Sequence, residues 1–108
     1  MIHLIAKNKE AIAALCQMFG IRKLDLVGSA ATGTFDPATS DIDFVVDLGE
    51  YDDTVAERYL DLIAALEDLL GFRIEMITEP SITNPYFRAA IDEQRITVYE
   101  ARNGQAAA

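Results

Sequence analysis

The chain has 108 residues, 51% of them hydrophobic, and a net charge of −9 from eighteen Asp and Glu against nine Lys and Arg. That length predicts a single domain over 1–102 with a disordered tail at 103–108, and the acid excess excludes direct binding of nucleic acid, which depends on Lys and Arg to neutralise phosphates. Cys16 is the only cysteine, so no disulfide can form within the chain. No apolar run approaches the roughly 18 residues that cross a membrane, and "MIHLIAKNKE" carries no apolar segment followed by a small-residue cleavage site. A cytoplasmic protein with no membrane contact is expected.

The first helix is predicted over 8–19. Asn8 stands at its N-cap and Gly20 at its C-cap, and Ile12, Leu15, Cys16 and Phe19 share one apolar face. A strand follows at 23–27 and ends on Gly28. Residues 29–33 are small and predict a turn or a single helical turn, and Asp36-Pro37 opens a loop. The second strand is predicted over 41–48. Thr54 and Glu57 have the spacing of a capping box ahead of the longest apolar-periodic helix, closed by Gly71. A third strand is expected at 72–78, a short helix after Asn84-Pro85, and a fourth strand at 95–100. The sum is an α+β domain with an α/β-type mixed sheet of about four strands and helices mainly on one face.

Side chains alternate along a strand, so Ile42, Phe44, Val46 and Leu48 take one face and Asp41, Asp43, Val45 and Asp47 the other. Asp41 and Asp43 are then roughly 6.6 Å apart along the strand, a spacing that reaches one cation or bridges two. A solvated strand face is the plain alternative. Glu75 alternates onto the matching face of the third strand, and it joins the aspartates if the two strands are neighbours. Three converging acids repel unless a cation offsets them. Gly28-Ser29 sits where a strand meets a tight turn, a place where backbone N–H groups attract phosphate. His3 is the only histidine and is expected at the surface, Cys16 in the core, and Asp47 in a peripheral role.

With those residues in order, "LVGSAATGTFDPATSDIDFVV" resembles the signature of DNA-polymerase-β-type nucleotidyltransferases. In size the chain is similar to the minimal nucleotidyltransferase (MNT) domains. The resemblance implies a single nucleotidyltransferase core. It also implies Mg²⁺ (two ions), ATP as donor, and transfer of AMP to an acceptor hydroxyl with loss of pyrophosphate. By position it assigns Gly28 and Ser29 to the nucleotide, and Asp41, Asp43 and Glu75 to metal binding and catalysis. Glu75 replaces the family's more usual Asp, Thr32 its frequent Arg, and the interval from Ser29 to Asp41 is one residue longer than the commonest form. Many MNT proteins are antitoxins that form a hetero-oligomer with a HEPN-domain ribonuclease toxin. The resemblance therefore implies such a partner and its adenylylation. The alternative it leaves is an MNT-fold binding module that inhibits its partner by contact alone.

Overall fold

The computed structural model describes residues 1–102, and the tail expected at 103–108 lies outside the described residues. Two short helices, α1 (His3–Lys7) and α2 (Lys9–Met18), lead into strand β1 (Lys23–Val27). A single helical turn, α3 (Ser29–Thr32), and a loop connect to β2 (Ile42–Asp47). Helix α4 (Val55–Leu70) crosses over to β3 (Ile74–Thr78), and a 3-10 turn (Glu79–Ser81), α5 (Pro85–Gln94) and β4 (Ile96–Glu100) complete the order. The sheet runs β3-β2-β1-β4. Strands β1 and β2 pair antiparallel, as do β1 and β4, while β2 and β3 are parallel. This is the mixed four-stranded α+β fold expected. Among the described residues no helix is long and apolar enough to cross a membrane.

Alternation along the strands builds the core. Leu24 and Leu26 of β1, Ile42, Phe44 and Val46 of β2, Ile74 of β3 and Val98 of β4 share one face. Ile5 of α1, Ile12 and Cys16 of α2, and Leu62, Leu66 and Leu70 of α4 pack on it. Each such fully buried aliphatic side chain contributes roughly 1.5–3 kcal/mol. The opposite face holds a smaller cluster of Val27, Val45, Ile82 and Ile91 with Ile77 against it. Helix α5 and the 3-10 turn therefore cover part of the acidic face. Cys16 is fully buried, and burial pushes its thiol up to about 12.

Two expected caps form differently. Asn8 makes no side-chain cap for α2; its Nδ2 donates to Leu4 O at 2.9 Å and so closes α1, an extra helix anchored by the buried Ile5. Thr54 already has helical backbone angles (φ −97°, ψ −2°) and makes no side-chain cap. Asp52 takes that place, accepting from Thr54 N (2.9 Å) and Thr54 Oγ1 (2.6 Å). A charged carboxylate is the stronger acceptor for the orphan amides of a helix start. Asn84 does cap α5, accepting from Tyr86 N and Phe87 N.

Candidate active site

Three strands bring the candidate site together in one row. The β1–β2 ladder sets Val27 opposite Asp43, and the β2–β3 ladder sets Asp43 opposite Glu75. The crossover through α4 makes β3 the parallel neighbour of β2, so the acid of the third strand meets the acid of the second. Asp41 lies one residue before β2 and is half-buried. The loop that delivers it is a built turn: Asp36 Oδ1 accepts Ala38 N, Ser40 Oγ accepts Asp36 N, and Phe35 packs edge-on against Phe72 at 5.2 Å.

The electrostatics of this row are unfavourable as it stands. Burial, then the charge of Glu75 and a carboxyl–carboxyl hydrogen bond with it, and last the charge of Asp41, raise Asp43 to about 6. A hydrogen bond between two carboxyls needs a proton on one of them, and Asp43 is the half-buried member while Glu75 is exposed. Asp43 Oδ1 is buried without a hydrogen-bond partner. An orphaned buried oxygen beside a second carboxylate, in an all-oxygen donor set, fits a divalent cation such as Mg²⁺. Among the described residues no three His, Cys, Asp or Glu side chains stand close enough together to hold a metal ion as placed. Asp43 and Glu75 are in contact, and Asp41 acts on them from further off.

Gly28 closes over this pair. Its backbone (φ 70°, ψ −157°) lies in a region open essentially only to glycine. A Cβ at this position would collide with Asp43 Oδ2. Gly28 O accepts Ala31 N and Thr32 N, which starts α3. The Gly28 N–H is held by Gln94 Oε1 at 2.5 Å. The Ser29 and Ala30 N–H groups are among those that a helix's own ladder cannot use. Thr32, exposed, turns its Oγ1 back to Gly28 O at 3.2 Å.

The remaining singled-out residues lie apart. Asp47, at the other end of β2, accepts Gly49 N and pairs with Arg22 at 3.8 Å. His3 is exposed. Arg73 is exposed and has no ion pair among the described residues; its carbonyl accepts Ile42 N, which places its backbone beside the start of β2. Sequence reasoning missed Gln94, whose contact spans 66 residues. It also missed Asp25, a buried carboxylate on the acidic face that meets Arg95 at 3.0 Å. Asp25 does alternate onto the face of Val27, which is the one signal that pointed to it.

Comparison with known proteins follows this geometry. The nucleotidyltransferase domain model matches residues 9–98. A Methanocaldococcus jannaschii chain named "Putative protein adenylyltransferase MJ1379" is 38% identical over 80 residues, covering 74% of this chain and 79% of that one. Its namesake MJ1217 is 30% identical over 95 residues, covering 88% and 91%. Among solved structures, "Structure of putative minimal nucleotidyltransferase" is similar with a TM-score of 0.72 at 28% identity, over 88% of this chain and 95% of that one. A chain from the complex of tri-AMPylated Shewanella oneidensis HEPN toxin with MNT antitoxin shares the fold, with a TM-score of 0.62 at 16% identity over 92% and 75%. Fold and site thus define the class, a nucleotidyl-transfer core. The chain belongs to the nucleotidyltransferase domain family.

Proposed function

We infer that the chain transfers AMP from ATP to a hydroxyl of a partner protein, and so acts as the antitoxin of a HEPN-type ribonuclease toxin. One observation carries the chemistry: the Asp43–Glu75 pair, with a buried unpartnered oxygen, lies directly under the Gly28-Ser29 turn. The protein-adenylyltransferase relatives and the fold shared with a toxin-antitoxin complex support the acceptor class. Asp41, Asp43 and Glu75 are the residues that would hold Mg²⁺. Bound there, Mg²⁺ neutralises charge on the phosphate oxygens. Ser29 offers its N–H and hydroxyl to the triphosphate. The acceptor oxygen forms a bond to the α-phosphorus as the bond to pyrophosphate breaks, and Glu75, exposed at the edge strand, takes the hydroxyl proton. Holding acceptor and triphosphate in line supplies most of the remaining acceleration.

The test is incubation of the purified chain and its co-expressed partner with ATP and Mg²⁺, read by intact mass. One added AMP per modified hydroxyl is expected with the wild type and none with Asp43→Asn. A fully active Asp43→Asn variant would sink the assignment. Because no three ligating side chains converge as placed, the contact-only reading is separated by Asp41→Asn/Asp43→Asn. If the double variant still neutralises the partner, contact and not transfer is the biological role.

A further inference from the structure

The Gly28 N–H does not face open space. Gln94, the last residue of α5, accepts it across a separation of 66 residues. The Gln94 amide is fixed at its other end, since its Nε2 donates to Ala90 O at 3.1 Å. The helix that carries it is fixed in turn. Ile91 is buried against Val27, Val45 and Ile82. The next residue, Arg95, pairs with Glu79 at 2.7 Å and with the buried Asp25 at 3.0 Å. Gln94 therefore presents its oxygen from a rigid element, on the face of the sheet that also carries Asp43.

We propose that Gln94 is a positioning residue for nucleotidyl transfer: by holding the Gly28 N–H, it fixes the peptide plane at which the chain leaves β1 and so sets where Ser29 is presented over Asp43. The inference rests on the proposed nucleotidyl transfer. Gly28 has a glycine-only conformation with Asp43 Oδ2 packed against it. A glycine peptide in such a region swings freely unless something pins it. The Gln94 oxygen is that pin, and α5 is thereby tied to the catalytic row. The opposite reading is also physical. Gln94 could occupy a donor that the triphosphate needs, in which case removing it would tighten binding. The two readings predict changes of opposite sign.

The experiment uses the full chain with Mg²⁺ and a non-hydrolysable ATP analogue in calorimetry, alongside amide NMR of Gly28. Gln94→Leu keeps the bulk and loses the acceptor. It is expected to weaken analogue binding roughly tenfold, the scale of one lost hydrogen bond, while the melting temperature moves by only a few degrees. The Gly28 amide proton should move upfield in Gln94→Leu and stay downfield in Gln94→Glu, which keeps an acceptor oxygen of the same reach. Unchanged or tighter binding by Gln94→Leu overturns the positioning role, and so does an unmoved Gly28 amide. A wild-type chain that binds no analogue overturns the functional reading, and with it this one. The wild-type control therefore separates the two failures.

Discussion

The two ends of the sheet treat polar groups in opposite ways. At the end where β2 finishes, Arg58 donates to Leu48 O (2.9 Å), Glu50 O (2.6 Å) and Phe19 O (3.3 Å), tying α2, β2 and the following loop to α4. Asp52 and Asp47 close the adjoining turns. At the end where β2 begins, two carboxyls are pressed together and one buried oxygen has no partner. One pole is saturated with hydrogen bonds. The other holds a repulsion that the fold must tolerate. Perturbed acids of this kind cluster at functional sites, and the contrast within one small sheet locates the site without reference to any relative.

The largest expected effect separates the poles by activity. Asp43→Asn should lower transfer by about a thousandfold or more, since the cation it helps to hold supplies several kcal/mol of charge stabilisation. The same variant should be more stable than the wild type in metal-free buffer. Asp43 is raised from 3.8 to about 6, so the folded chain keeps a proton that the unfolded chain has lost. Its contribution is fully present below the unfolded value and is lost as pH rises through about 6. At pH 7–8 Asp43→Asn removes that penalty, about 1 kcal/mol once partial exposure to solvent is allowed for. Thermal melts across pH 4–8 check it: the gap between variant and wild type should open as pH rises.

Arg58→Ala should do the reverse. Loss of several charge-assisted hydrogen bonds is expected to cost about 3 kcal/mol, a fall of roughly 10–20 °C for a domain of this size. Transfer per folded molecule should be nearly unchanged. Gly28→Ala lies between them, losing about 1–3 kcal/mol from its positive φ and most activity from the collision with Asp43. Urea titration and single-turnover transfer measure the two losses separately. The smallest effect concerns Glu79, which the Arg95 hydrogen bond, helped by Arg88, holds below its usual 4.5. A depressed acid stabilises above its unfolded value and loses that contribution as pH falls through its folded one. Glu79→Gln should therefore cost under about 1 kcal/mol at pH 7 and almost nothing at pH 3, by melts at the two pH values.

Periodicity located what is periodic. Strand β1 begins and ends where alternation placed it, and α4 carries its apolar stripe at Leu62, Leu66 and Leu70. The Asp-x-Asp face was legible for the same reason. Glu75 was legible only on condition that its strand neighbours β2, which the parallel ladder satisfies. Helix α1 has five residues, too few for a period to show, and it is held by tertiary contacts such as Ile2 N to Ala30 O. The caps at Asn8 and Thr54 went to competing acceptors that spacing rules do not rank. Gln94 and Asp25 owe their roles to partners far along the chain or across strands, which no local pattern encodes.

The parallel pairing of β2 with β3 has a consequence for how the site comes into being. Asp43 and Glu75 are adjacent only after the whole α4 crossover has formed and β3 has docked at the edge of the sheet. A nascent or truncated chain that stops within α4 carries Asp41 and Asp43 but no catalytic pair. Assembly of the site is thus conditional on one long-range strand docking, the slow kind of contact in a folding chain. Partly folded forms are silent by construction, and a local detachment of β3 would switch the completed site off without unfolding the rest.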